Sequence, residues 1–347
     1  MKKAKLILAV AAVLLAVSGL AAGGEYPYQV VDLGTNMSPW AINDLGEVAG
    51  GGYMGYGQAF LWTSSQGIQY LGTLGGQNST AYDISNSGVI VGASQITNQP
   101  ERAFKWTATG GIQQLQLLGN QSIAWAVNES GEIAGLHVQN DVLACYWDSN
   151  GTAHSAGGVG TAQQQSFRGI NEAGVAAGFG RSDSDGHHHA FTWTMAGGVR
   201  DLGVLAGEET HVKAISDSGM IVGYSNPGAI AYAWSEADGL HILPPLSGQC
   251  SSAEGVNSND EVVGAYWGAS TPSHAFLWTQ DKGIFDISPP GWTGTFAYDI
   301  NKWGWIVGAG IAPDGQQHGF LLIPEPATLS LLALGGMGLL KRCRRRG

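Results

Sequence analysis

The strongest constraint on this 347-residue chain is a repeat. Seven versions of one hairpin follow one another: AINDLGEVAG (41–50), YDISNSGVIVG (82–92), WAVNESGEIAG (125–135), RGINEAGVAAG (168–178), KAISDSGMIVG (213–223), EGVNSNDEVVG (254–264) and YDINKWGWIVG (298–308). Their closing glycines, Gly50, Gly92, Gly135, Gly178, Gly223, Gly264 and Gly308, stand 42, 43, 43, 45, 41 and 44 residues apart. A second motif follows each hairpin, as in QAFLWT (58–63), RAFKWT (102–107), HAFTWT (189–194) and HAFLWT (274–279). Most units add a third, as in GIQYLG (67–72), GVRDLG (198–203) and GIFDI (283–287).

Each piece reads as β-structure. The Asn/Ser-x-x-Gly core is a turn, in which the first side chain bonds the following backbone and Gly takes the positive-φ position. Asp260 replaces that Gly in the sixth unit, a residue that tolerates the conformation less well. The flanking Ile and Val residues alternate as in strands. The A-F-x-W and G-I-x-x-L runs add two more short strands. Four strands per ~43 residues is the period of a propeller blade. The expected fold is all-β: a single seven-bladed β-propeller with blades of about four short antiparallel strands. The seventh unit lacks its last strand, and YQVVDLGT (28–35) resembles the missing one. The N-terminal strand is therefore expected to close the ring.

The two ends of the chain do not belong to the repeat. MKKAKLILAVAAVLLAVSGLAAGG has the charged, apolar and small-residue layout of a secretory signal peptide, placed at 1–23. Residues 24–323 are the propeller, and 324–347 form a tail, PEPATLSLLALGGMGLLKRCRRRG. Its apolar run, 327–340, would span about 21 Å as a helix, short of the ~30 Å hydrocarbon core. The basic end stays cytoplasmic by the positive-inside rule. Pro324, Glu325, Pro326, the apolar helix and Arg344, Arg345 and Arg346 together resemble the PEP-CTERM sorting signal of Gram-negative bacteria. That resemblance implies transient inner-membrane insertion as a transmembrane helix and processing by exosortase after export. It also implies a final place at the cell surface or in an exopolysaccharide matrix. The repeat motifs, with HAF at His189–Phe191 and His274–Phe276 and LGTLGG at Leu71–Gly76, resemble the HAF-repeat extracellular proteins. That family implies export and a repeat fold, with no activity or ligand attached.

Charge narrows the partners. The body holds eight basic residues against 26 acidic ones, a net charge near −18. Such a surface repels nucleic acid. Glycine, 54 of 347, is about twice its usual share and spread evenly, so it marks turns rather than a linker. Cys145 and Cys250 fall in non-adjacent units and are expected as free thiols.

Three columns of the repeat are candidates for function. Trp62, Trp106, Trp147, Trp193, Trp234 and Trp278 recur in one register, which assigns them to packing between blades. The position two before the recurrent Ile/Val varies instead: Trp40, Tyr82, Trp125, Arg168, Lys213, Glu254 and Tyr298. It is expected at the start of each innermost strand, near the central channel, where aromatics and charges hold a saccharide or peptide. His189, His274 and His318 share a third column, expected as a solvated strand start.

No nucleophile–base pair, paired carboxylates, zinc spacing or phosphate loop stands out, so no catalytic residue, cofactor or metal is assigned. The tract Asp183, Asp185, His187, His188, His189 offers too few oxygens for calcium. The expected function is an exported, non-enzymatic binding or structural module for polysaccharide or another surface protein. The alternative is a polysaccharide hydrolase or lyase using loop acids such as Asp183, Asp185, Glu208 and Glu209.

Overall fold

In the computed structural model, the described residues are 27–52, 57–160, 164–248 and 250–325. They form 28 strands and no helix. The strands fall into seven antiparallel groups of four, with groups one and two touching through the single pairing Gly51↔Thr80. The first strands of neighbouring groups contact one another all the way round, including the last group with the first. This is a closed ring of blades with the first strands innermost.

The N-terminal strand Tyr28–Thr35 closes the ring as the sequence suggests. It pairs antiparallel with the last strand, Gln317–Pro324, from Tyr28↔Pro324 to Thr35↔His318. Glu325 N then donates to Pro27 O at 2.9 Å. The first proline of the sorting motif is thus the last residue of a blade strand. Residues 1–26 and 326–347 lie outside the described residues, and with them the expected signal peptide, apolar helix and Arg344–Arg346. Among the described residues no helix is long and apolar enough to cross a membrane.

The conserved look of the hairpin has three physical causes. First, every innermost strand carries a β-bulge two residues before its end, as between Ala124 and Ala126 or Val212 and Ala214. The bulge pushes a carbonyl against the second strand. A Cβ on Gly92, Gly135 or Gly223 would lie 1.9–2.0 Å from the carbonyl oxygen of Thr80, Ile123 or His211. Only glycine fits there. The buried Phe of the third strand lies over the same glycine, as Phe104 does over Gly92.

Second, the turn Asn ties its own hairpin. Asn43 Oδ1 accepts from Leu45 N and Glu47 N, both at 3.0 Å, and Gly46 takes φ +76°.

Third, the same side chain reaches the next blade. Asn43 Nδ2 donates to Ser85 O, Asn128 to Asn171 O, Asn171 to Ser216 O and Asn257 to Asn301 O. Asn301 Nδ2 donates to Asn43 O at 3.0 Å, across the seam between last and first blades. Where Ser216 stands in for Asn, the link is rebuilt. Asp260 holds φ +59° in the glycine position and accepts from Ser216 Oγ and Ser218 Oγ, each at 2.7 Å.

The core lies between blades. Trp106, Trp147, Trp193 and Trp278 are buried, and Trp62 and Trp234 half-buried. Trp106 packs with Ala41 and Ala49 of the preceding blade, and Trp193 lies 4.8 Å from Tyr146. Cys145 is buried and Cys250 half-buried, both free.

The third-strand histidines differ from expectation. His189 and His318 are buried, not solvated. His189 Nδ1 meets Asp201 and Nε2 meets Asp185, each at 3.0 Å. His318 sits likewise between Asp32 at 2.9 Å and Asp314 at 3.1 Å, and His274 contacts Asp286 at 3.0 Å. The acid from the outer strand, at the fourth position of its motif, clamps the imidazole. Burial works against charge on His189 and His318, but the paired carboxylates outweigh it and raise both above the ordinary histidine value.

Candidate functional site

The variable column is the bulge column. Trp40, Tyr82, Trp125, Arg168, Lys213, Glu254 and Tyr298 are each the extra residue of the innermost strand. They therefore lie near the end of that strand, on the side of the Asn turns, and not at its start. A bulge re-aims its side chain. Here all seven turn to the axis and are half-buried.

Five of the seven neighbouring pairs touch. Tyr298 and Trp40 have ring centres 4.4 Å apart, Trp40 and Tyr82 6.4 Å, and Tyr82 and Trp125 4.3 Å. The Arg168 guanidinium lies 4.1 Å over Trp125. Lys213 Nζ pairs with Glu254 Oε2 at 2.8 Å, and Glu254 Oε1 accepts from Ser252 Oγ at 2.5 Å. One half of the ring is aromatic and the other is charged. Arg168 makes no ion pair among the described residues, and burial holds its guanidinium below the usual arginine value. Its Nε and the Trp125 indole N–H are buried without a hydrogen-bond partner. Two strong donors thus stand ready for an acceptor that the described residues do not supply.

Two further acids lie just beyond this ring. Asp299 accepts from Ile42 N at 2.9 Å and Asp83 from Val127 N at 2.8 Å, each reaching the next blade. Burial pushes Asp83 up to about 6 and Asp299 to about 7, against the pull of those backbone donors.

A second tier lies two residues earlier on the same strand faces. It reads Ser38, Thr80, Ile123, Ser166, His211, Ser252 and Phe296. Here the repeat breaks at blades four and five. His211 stacks on Tyr224 at 4.7 Å with planes 12° apart, and meets Phe179 edge-on at 4.9 Å. His188 lies 5.2 Å from His211, ring to ring. Glu209 Oε2 is 3.7 Å from His188 Nδ1 and 3.9 Å from His211 Nε2. Burial, and then the nearby His188, lower the His211 value below that of ordinary histidine.

Of the loop acids, only Glu209 faces these imidazoles. Asp185 is spent on His189, and Glu208 is exposed. Phe179, His211 and Tyr224 were not legible as site residues because the contacts of His211 with Phe179 and His188 join two different blades. The second-tier column itself, where His211 is the one ionisable side chain among hydroxyl and apolar residues, was the available signal.

The C-terminal residues 322–346 match the PEP-CTERM protein-sorting motif. The chain thus carries the sorting signal of exported, exosortase-processed proteins. No curated relative matches it. Among solved structures, virginiamycin B lyase from Staphylococcus aureus aligns with a TM-score of 0.61 at 11% identity, over 86% of this chain and 100% of that one. A catalytically inactive variant of that enzyme with quinupristin gives 0.61 at 12%, with the same coverage. YCF48 bound to D1 peptide gives 0.53 at 16%, over 89% and 100%. At these identities the likeness establishes the fold alone, a β-propeller.

Proposed function

We propose that the body is a non-enzymatic binding module at the cell surface or in an extracellular matrix, whose channel takes an acidic polysaccharide. The observation that carries this reading is the ring of four aromatics continued by Arg168. The aromatic half offers faces for sugar rings. Arg168 and the Trp125 indole supply unpartnered donors for a carboxylate or hydroxyl. Two of the body's eight cations, Arg168 and Lys213, stand in this ring although the chain as a whole is strongly acidic. The PEP-CTERM motif and the resemblance to HAF-repeat proteins support exposure to such polymers. A peptide carboxylate is the competing ligand of the same chemistry.

The test is a titration of the body, residues 24–325, with uronic-acid and neutral oligosaccharides. Binding of the acidic ones is expected, at least tenfold weaker in Trp125→Ala and in Arg168→Ala. The inter-blade variant Trp106→Ala should instead keep its affinity and lose ~3–5 kcal/mol of stability. Equal affinity of wild type and both channel variants would overturn the assignment.

The grouping of His188, Glu209 and His211 favours a second reading, a hydrolase or lyase acting on extracellular polysaccharide. New reducing ends or unsaturated sugar released from a bound polymer would distinguish it from binding alone.

A further inference from the structure

We infer that His188, Glu209 and His211 form a binding site for a first-row divalent metal ion, with zinc the best fit. One nitrogen of each His and one Glu oxygen all lie within 4.8 Å of one another. Two imidazoles and one carboxylate are a ligand set suited to zinc and its neighbours and ill-suited to the oxygen-seeking Ca²⁺ or Mg²⁺.

The distances are close to what an ion needs. Bonds of ~2.0–2.1 Å at tetrahedral angles separate ligand atoms by about 3.3–3.5 Å. The observed separations are 3.7 Å for His188 Nδ1–Glu209 Oε2 and 3.9 Å for His211 Nε2–Glu209 Oε2. The two imidazole nitrogens lie within 4.8 Å of one another, so rotations that move each atom by less than about an ångström close the set. The three side chains are anchored on strands from two adjacent blades, so the site is built by their docking rather than by a loop.

Hydrogen bonds around the site point the same way. His188 Nε2 lies 3.1 Å from Gln164 Oε1, an acceptor, so the ring proton belongs on Nε2. That leaves the Nδ1 lone pair facing Glu209. His188 Nδ1 is buried and has no hydrogen-bond partner. An outer acceptor fixing the tautomer of a ligating His is the usual support of a metal site. On the other side, Asn226 Nδ2 lies 3.1 Å from His211 Nε2. Turning that amide over presents Oδ1 to the same space as a fourth donor. Tyr224 covers one face of the His211 ring and Phe179 meets the ring edge-on, and together they hold its direction. Glu209 is the exposed member, 37% accessible against 14% for each His. Any free coordination position therefore opens toward solvent, where an anionic oxygen of a ligand can complete it. The inference does not depend on the channel ring binding saccharide.

The experiment is equilibrium dialysis of tag-free body against Zn²⁺ after chelator treatment, followed by metal analysis and a thermal melt. One ion per chain is expected, with a higher melting temperature in zinc than in chelator. Glu209→Gln and His211→Ala should bind at least 100-fold more weakly, and Gln164→Ala about tenfold. His187→Ala, in the neighbouring histidine tract, should bind as wild type. Circular dichroism confirms that each variant is folded, and the mild Glu209→Gln change keeps the test decisive if His211→Ala is not. Absence of stoichiometric zinc in wild type, or its retention in Glu209→Gln together with loss in His187→Ala, would overturn the site.

Discussion

Replacing Asn301 by Ala tests whether the turn side chain, and not only the turn backbone, holds the ring shut. Asn301 is 4% exposed. Its Oδ1 accepts from Trp303 N and Trp305 N at 3.0 Å, and its Nδ2 donates to Asn43 O at 3.0 Å across the seam. Alanine removes all three bonds. At ~1 kcal/mol net for each, the expected loss is ~3 kcal/mol. Asn43 O keeps its bond from Gly46 N, and Trp303 is exposed enough for water to reach its backbone, so no larger penalty is added. Asn301→Ser is the graded control. Ser85 and Ser216 show what a hydroxyl achieves at this position, accepting from Val89 N at 3.2 Å and Met220 N at 3.1 Å. One of the three bonds is kept and the cross-blade donor is lost, so about two-thirds of the damage is expected.

Urea unfolding reads both variants. With m of ~2–3 kcal/mol/M, the midpoint should fall by roughly 1–1.5 M in the Ala variant and about two-thirds of that in the Ser variant. Asn171→Ala, which also loses two turn bonds and one cross-blade bond, should match Asn301→Ala. A loss under about 1 kcal/mol at Asn301, or equal effects of Ala and Ser, would falsify the argument that this side chain links the blades.

Two other perturbations follow from the same geometry. The first is pH. Asp83 and Asp299 titrate in the folded state at about 6 and about 7, above their unfolded value of 3.8. The folded form binds more protons between these limits, so their contribution is fully present at low pH and lost as pH rises through 6 and 7. His189 and His318, also raised, act in the same direction above 6.5. Denaturation should show greater stability at pH 5.5 than at pH 8, on the order of 2 kcal/mol, with a smaller slope in Asp299→Asn; a stability that rises over this interval would contradict it. The second is truncation. Starting the chain at Asn36 removes Tyr28–Thr35 and bares the edge of Gln317–Pro324. Loss of cooperative unfolding or aggregation is expected, and an unchanged melt would mean that this strand does not close the ring.

What could be read in advance divides along a physical line. The turn Asn, the positive-φ Gly and the closing Gly are imposed by local geometry that every blade must repeat. They therefore recur in the sequence at a fixed period, and blade number, strand count and the role of Tyr28–Thr35 follow from that period. The closing Gly lies within the second strand, outside the turn, and its strictness reports the bulge opposite it. That bulge places Trp40 and its six counterparts near the end of the strand rather than at its start. The His–Asp clamps were half legible: Asp32, Asp201 and Asp286 hold one position in the outer strand, but their contact with the His column spans 12 residues in two cases and 286 in the third. The His188–Glu209–His211 group was the least legible, since it joins blades four and five and recurs in no other pair among the described residues. A repeat fold uses its periodic residues for packing. Chemistry particular to one site must then sit where the period fails, and it does fail at Phe179, His211 and Tyr224, or in a column that the packing leaves free to vary, and the bulge is such a column. Deviations from the repeat are therefore better guides to what this chain binds than the motifs that define it.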